Sequence, residues 1–175
     1  MRSIVSAICC TALCCVPALA QKKTAGMGMT DQQFMDFAAQ TDMMEANLGQ
    51  AAQNQAAGQE VKNYAQMLVT DHTSDYSQLN DIAGKDSLNV PKGLDSAHQR
   101  MLAPFNALHG AAFDNHYIHE MIAGHTKAIA EFKREAADTQ NADLRNYANQ
   151  ALPTLQKHLD GAKDLAKSKG YKTTE

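Results

Sequence analysis

Four side chains in this sequence combine the chemistry of metal ligands with a regular spacing. Each interrupts an apolar stripe of a different predicted helix, on or near its centre when residues are placed at ~100° intervals. Each also lies roughly 13 to 16 residues from the start of its helix, which puts all of them at one level. These side chains are Glu45, His72, His125 and His158.

Imidazole and carboxylate groups are ligands for zinc, iron, copper and manganese. We therefore predict that Glu45 and the three histidines hold one divalent transition metal, Zn, Fe, Cu or Mn. His158 lies toward the edge of its stripe, so we expect it to be the least buried of the four. The alternative interpretation is a structural layer in which these groups only hydrogen-bond to one another.

Further polar residues on or beside the same stripes are candidates for additional ligands or for groups that orient a ligand: Asp71, Asp75, Asp114 and Tyr117. Asp71 can orient an imidazole of a neighbouring helix or be solvated. Asp114 falls in the first turn of its helix, where a carboxylate also interacts favourably with the helix dipole. Tyr117 is expected to find a partner for its hydroxyl.

The elements that would position these residues are four long helices and a short one. Thr30, followed by Gln33, resembles a capping box that starts the first helix. Helices are predicted over about 31–57, 59–84, 111–137 and 141–170, with a short one at 96–102. No segment alternates in the way that predicts a strand, so the fold class is all-α.

Connection lengths predict a ferritin-like four-helix bundle. Short connections join the first and last pairs of long helices, which favours two antiparallel hairpins. About 25 residues separate the second and third long helices, enough to return along a helix of ~40 Å. One long crossover of this kind is the plan of ferritin-like bundles.

The N-terminal segment is typical of a secretory signal peptide. Arg2 precedes an apolar run over 4–16 and the small-residue motif ALA at 18–20, which predicts cleavage between Ala20 and Gln21. All four cysteines lie in this segment. The predicted organisation is a signal peptide at 1–20, a flexible leader at 21–30, a helical domain at 31–170 and a tail at 171–175. We expect a periplasmic or secreted location.

Composition limits the classes of partner. The net charge is -3, aromatic residues make up 6% of the chain, and tryptophan is absent. Such a chain lacks the basic surface and the stacking platforms of nucleic-acid binders. The N-terminal apolar run is too short to span a membrane comfortably. The sequence does not indicate protein partners or an oligomeric state.

These motifs together resemble the DUF4142 family, a group of exported bacterial proteins of unknown function. The resemblance covers about Asp31 to Ala166 and rests on Phe34, Glu45, MLVTDH at 67–72, FDNHY at 113–117, His125, ALP at 151–153 and His158. His109 departs from the pattern, since a small residue is more usual before Gly110. The resemblance implies a ferritin-like bundle in the bacterial envelope. It implies no activity.

A two-iron centre is not expected, because it uses Glu-x-x-His pairs. Val69 and Leu155 stand where those glutamates would be, three residues before His72 and His158. No catalytic motif of a common enzyme class is present. The favoured function is metal binding in metal handling or envelope stress, without catalysis. Two alternatives stay open: a scaffold or interaction protein with a structural polar layer, and a mononuclear metallohydrolase or oxidase using Asp71 or Asp75 as its base.

Overall fold

The computed structural model describes residues 28–172, and its regular elements there are all helical. The helices are α1 (Asp31–Gln55), α2 (Gln59–Asp86), α3 (Ser96–Leu102), α4 (Gly110–Asp138) and α5 (Ala142–Lys169), and a 3-10 helix at Ala103–Ala107 follows α3. The predicted all-α class is confirmed. None of the described helices is long and apolar enough to cross a membrane. The predicted signal peptide and most of the predicted leader lie outside the described residues.

The ends of α1 and α5 follow local signals in the sequence. Thr30 Oγ1 accepts from the backbone N–H of Gln33 at 3.2 Å, and Gln33 Oε1 accepts from the N–H of Thr30 at 2.9 Å. This is the predicted capping box. The side chain of Asn141 accepts from two N–H groups of the first turn of α5. Gly170 ends α5 in the left-handed region, at φ 68°, which glycine adopts without strain.

The first two long helices, α1 and α2, form an antiparallel pair, and so do the last two, α4 and α5. Gln53, near the end of α1, donates to the carbonyl of Lys62, near the start of α2. Phe132, in the second half of α4, packs against Tyr147, near the start of α5, with ring centroids 5.7 Å apart. In each pair, the last part of the first helix therefore lies beside the first part of the second helix.

Two further contacts join the pairs. Phe34 at the start of α1 packs edge-on against Phe132 of α4, with ring centroids 4.9 Å apart. Tyr64 in the first half of α2 donates to the carbonyl of His158, in the second half of α5, at 2.9 Å. Both contacts join antiparallel helices. Since α1 is antiparallel to α2 and to α4 in these contacts, α2 and α4 run in the same direction.

The connection between α2 and α4 is tied to α1 by a buried amide. Gln40 donates to the carbonyl of Gly93 at 3.0 Å and accepts from the N–H of Asp95 at 3.0 Å. Phe105, in the 3-10 helix, is buried, and its carbonyl accepts from Gln55. These contacts hold the connection between α2 and α4 against α1.

Two apolar clusters fill the core. One contains Leu48, Val61, Leu68, Tyr117 and Ala162 with their neighbours. The other contains the following residues, among others: Phe34, Leu79, Phe132, Leu144 and Leu155. On α1, α2 and α4, the buried residues Asp42, His72 and His125 lie between the segments that enter the two clusters, and on α5 His158 lies just before Leu159, where the second cluster ends. A polar layer therefore crosses the interior where the two apolar clusters meet.

We predict opposite effects for alanine at two helical glycines. A Cβ at Gly49 would lie 2.6 Å from Val69 Cγ2 and 2.9 Å from the carbonyl oxygen of Ala65, so Gly49→Ala must displace α1 from α2. Such overpacking costs about 1–3 kcal/mol, more than the ~1 kcal/mol that alanine contributes in helix propensity. A Cβ at Gly84 meets nothing within 4 Å.

Gly84→Ala is therefore the matched control and should raise the free energy of unfolding by up to ~1 kcal/mol. Urea unfolding of the two variants and the parent measures both changes. A Gly49→Ala variant as stable as Gly84→Ala would contradict the close contact between α1 and α2.

Candidate metal centre

Four side chains, one from each long helix, meet in the polar layer. Glu45 Oε2 lies 2.8 Å from His72 Nε2 and 3.2 Å from His125 Nε2. His125 Nε2 in turn lies 3.2 Å from His158 Nδ1. The expectation that His158 would be the least buried was wrong. His158 is 1% exposed, against 2% for His72. Asp71 of α2 lies 2.9 Å from His158 Nε2 and covers the imidazole where α2 and α5 meet.

Two of the three imidazoles are held by carboxylates on the side away from the centre. His72 Nδ1 lies 2.8 Å from Asp42 Oδ1, and His158 Nε2 lies 2.9 Å from Asp71 Oδ2. Because a carboxylate accepts hydrogen bonds, these partners assign the N–H to the outer ring nitrogens. In the neutral imidazoles the inner nitrogens, His72 Nε2 and His158 Nδ1, then present lone pairs to the centre.

The third imidazole is held by the backbone of its own helix. His125 Nδ1 donates to the carbonyl of Met121, one turn earlier on α4, at 2.9 Å. His125 Nε2 therefore faces the centre with its lone pair. Ligating histidines characteristically donate their other N–H to a carboxylate or carbonyl, which fixes the tautomer and the ring orientation. All three histidines have that arrangement.

Three of the inner atoms have no hydrogen-bond partner in the described part of the chain, whereas His125 Nε2 and His158 Nδ1 contact each other. Both carboxylate oxygens of Glu45 and the Nε2 of His72 are buried without a hydrogen bond among the described residues. The 2.8 Å approach between Glu45 and His72 is thus a close charge contact without hydrogen-bond geometry. Buried polar atoms in native proteins are nearly always satisfied, so unsatisfied atoms that converge need a common partner.

The distances suit one small cation. The three inner histidine nitrogens lie within 4.8 Å of one another, and Glu45 adds a carboxylate oxygen beside two of them. In a tetrahedral site with ~2.0–2.1 Å bonds, neighbouring ligand atoms are ~3.3–3.4 Å apart. To reach that geometry, the contacts of 2.8–3.2 Å would lengthen slightly and histidine nitrogens as far as 4.8 Å apart would move closer together.

The charges in the layer are strongly coupled. Burial opposes ionisation of Glu45, but the neighbouring histidines, first His125 and then His72, outweigh it and lower the pKa of Glu45. Burial also opposes a charge on His72, yet Glu45 and Asp42 raise the pKa of His72 well above its ordinary value. Burial lowers the pKa of His125, and it lowers the pKa of His158 to about 4. One proton on His72 therefore compensates Glu45, and a bound cation would replace that proton.

Asp42 belongs to this cluster and was missed in the sequence. It is 3% exposed, and burial raises the pKa of its carboxyl to about 7. The available signal was its position three residues before Glu45, which puts both carboxylates on one face of α1. The Met121 carbonyl had no such signal, because any residue there would supply it.

Asp71 and Asp75 lie on the α2 side of the layer and have different partners. Asp71 contacts His158 of α5, as described above, with its side chain 34% exposed. Asp75 accepts from the hydroxyl of Tyr147 at 2.6 Å. The structure gives Asp75 no contact with the inner histidine nitrogens, so it does not bring Asp75 into the ligand set.

Asp114 lies away from the histidines. Its carboxylate accepts from the backbone N–H groups of Ala57 and Gly58, both at 3.0 Å, and so fastens the connection between α1 and α2. It stands eleven residues before His125, or ~16 Å along α4. The suggestion that Asp114 contributes to the site was therefore wrong.

Tyr117 is fully buried, but the expected partner for its hydroxyl was not found. The oxygen has no hydrogen bond among the described residues. The ring stacks on Phe113 and meets Tyr64 edge-on. Tyr117 thus contributes to the apolar cluster beside the polar layer.

Fold and site together define a helical protein with three histidines and a carboxylate converging in its core. The chain belongs to the family described as Domain of unknown function (DUF4142), which matches residues 16–165. This confirms the resemblance found in the sequence. None of the curated proteins matches the chain.

Solved structures with the same fold include metal-bound proteins. CopM in the Cu(II)-bound form has a TM-score of 0.69 at 18% identity, covering 81% of this chain and 99% of CopM. CopM in the Ag-bound form has a TM-score of 0.66 at 16% identity, covering 80% and 97%. A DUF305 fragment from Deinococcus radiodurans has a TM-score of 0.67 at 16% identity, covering 80% and 99%. At these identities the likeness shows the fold alone.

The two buried tyrosines beside the layer should respond differently to loss of the hydroxyl. Tyr147→Phe removes the 2.6 Å hydrogen bond to Asp75 and should cost roughly 1.5–3 kcal/mol of unfolding free energy, the range for a bond to a charged group. Tyr117→Phe removes an unpartnered buried oxygen and should be neutral or stabilising.

Chemical denaturation of the two variants against the parent makes the comparison directly. If Tyr117→Phe cost as much as Tyr147→Phe, the Tyr117 hydroxyl would have a bonding partner, and the description of that cluster would be wrong.

Proposed function

We propose that this protein is an exported, non-enzymatic metal-binding protein that acts in metal handling or envelope stress. In this proposal a single divalent transition metal is bound in the core by Glu45, His72, His125 and His158. Asp42, Asp71 and the Met121 carbonyl orient the three imidazoles from outside.

The observation that carries the proposal is the convergence of the inner atoms, of which both Glu45 oxygens and His72 Nε2 have no hydrogen-bond partner among the described residues. Three buried imidazoles have their outer N–H groups satisfied, and their inner nitrogens face a fully buried carboxylate. A divalent cation supplies the one partner that can satisfy all four groups together. Two charges on the cation would also balance Glu45 and Asp42.

The donor set favours a divalent ion. Imidazole nitrogen and carboxylate oxygen suit Zn(II), Cu(II), Fe(II) and Mn(II), whereas Cu(I) and Ag(I) prefer sulfur. CopM has been solved with Cu(II), Cu(I) and Ag, and this fold therefore accommodates metal ions in a distant relative. We take Cu(II) and Zn(II) as the first ions to test.

We further propose that the four long helices form a ferritin-like bundle and that the protein acts outside the cytoplasm. The antiparallel contacts and the parallel direction of α2 and α4 support the bundle. Cleavage between Ala20 and Gln21 would release a chain without cysteine. Such a chain would offer a metal only nitrogen, oxygen and thioether ligands.

A second candidate function is that of a scaffold protein whose polar layer only stabilises the fold. The raised pKa of His72, due to Glu45 and Asp42 acting against burial, favours it, because a proton on His72 compensates Glu45 without a metal. The two candidates differ in what an added metal does to stability.

Metal should raise the unfolding midpoint of the protein, and the core histidines should be required for it. A ligand at a hundredfold excess over its Kd stabilises the folded state by about 2.7 kcal/mol. For a chain of this size that corresponds to roughly 5–10 °C. We expect His72→Ala and His125→Ala to lose this increment in thermal unfolding with Cu(II) or Zn(II).

His109→Ala is the matched control, since His109 is exposed and caps α4 without a side-chain hydrogen bond. It should keep the full increment. The baseline stability of the core variants is not decisive, because both candidate functions predict a loss. An unchanged midpoint of the parent with all four metals, Zn, Cu, Mn and Fe, would reject metal binding and leave the scaffold function.

A further inference from the structure

The polar layer reaches the surface on one side of the molecule. The side chain of Asp71 is 34% exposed while it contacts His158. The other members of the cluster, Asp42, Glu45, His72 and His125, have side-chain exposures of 4% or less. The most direct route for an ion between solvent and the layer therefore passes beside Asp71.

A groove between α2 and α5 opens at this point. Its cavity has a volume of about 310 Å³, and His72 and His158 are among the residues that line it. Since a water molecule takes ~30 Å³ in the liquid, a metal ion with its hydration shell fits inside. Ser74, Ala151 and Thr154, also in the lining, have short side chains that leave this space.

The charged residues that line the groove favour a cation. Asp71 and Asp75 contribute carboxylates to its lining, which contains no lysine or arginine. His72, buried with its Nε2 unpartnered, belongs to the same lining. A cleft with one sign of charge raises the local concentration of the opposite ion.

The opposite side of the layer is closed. Glu45 and His125 are 0% exposed, and neither lines this groove or either of two further cavities in the described residues. The backbone of α4 lies directly over the carboxylate, so that a Cβ built on Gly124 would be 3.3 Å from Glu45 Oε1. An ion approaching from α1 and α4 would meet packed helix.

We propose that the groove between α2 and α5 is the path by which a hydrated metal cation enters and leaves the core, with Asp71 as the carboxylate at its entrance. The inference rests on the proposed metal-binding function. It makes the bound ion exchangeable with solvent on one side, as a protein that takes up and hands on metal requires.

Blocking the groove tests this path. Thr154 is exposed and lines the groove, so Thr154→Cys offers a thiol for a bulky neutral methanethiosulfonate reagent. The cysteines of residues 1–20 are removed by export or replaced by serine. Cu(II) is the probe, and quenching of tyrosine fluorescence in stopped flow gives its association rate. We expect the modified variant, which has no free thiol, to bind Cu(II) at least tenfold more slowly than the parent with Thr154.

Thr126→Cys, carrying the same reagent, is the matched control because Thr126 is exposed on α4. Its association rate should equal that of the unmodified protein. Equal rates for the modified Thr154 and Thr126 variants, with Cu(II) still bound at equilibrium, would overturn the path and leave the metal site intact. Absence of Cu(II) binding by the unmodified protein would overturn the path together with the copper form of the proposed function.

Discussion

The structure depends on the compensation of Glu45, a carboxylate with no exposure to solvent. An ionised carboxylate in a protein interior costs several kcal/mol unless a partner offsets it. In the layer that compensation comes from the neighbouring histidines, which lower the pKa of Glu45. Three imidazoles surround the carboxylate, and Asp42, Asp71 and the Met121 carbonyl turn their inner nitrogens toward it. The positive charge that this set needs can come from a proton on His72, whose pKa Glu45 and Asp42 raise, or from a bound cation.

The apolar clusters on either side of the layer increase the cost of leaving the Glu45 carboxylate without a compensating charge. They remove water from the layer, so electrostatic interactions there are stronger than at the surface. They also fix the four helices at one register, because a shift of one helix would move its polar residue into an apolar cluster. The same packing that makes the layer costly would hold its side chains in place around a cation in the proposed function. Among the described residues, the groove between α2 and α5 is where we propose that the ion approaches.

Much of this arrangement could be predicted from the sequence, because it depends on local periodicity. The capping signal at Thr30 and the apolar stripes predicted the long helices. The similar distance of each polar residue from the start of its helix predicted that the four residues lie at one level. Glu45 and the three histidines, which the structure brings together, were all visible in that pattern.

The remainder depends on contacts between helices, which periodicity does not specify. Asp42 lies on the buried face of α1, but its importance comes from the position of His72 on another helix. Asp114 shared the apolar stripe of α4, yet its partners are backbone groups of a distant connection. The burial of His158 likewise depends on Asp71 of α2. A helical wheel shows which face is buried and leaves open which atoms meet there.

X-ray absorption of the protein loaded with one equivalent of Cu(II) or Zn(II) is the most direct test of the central claim. We expect one ion per chain, four nitrogen or oxygen neighbours at ~2.0–2.1 Å, and outer-shell scattering from three imidazole rings that is reduced in His125→Ala. Sulfur neighbours from methionine, or a spectrum unchanged by His125→Ala, would contradict a site in the core.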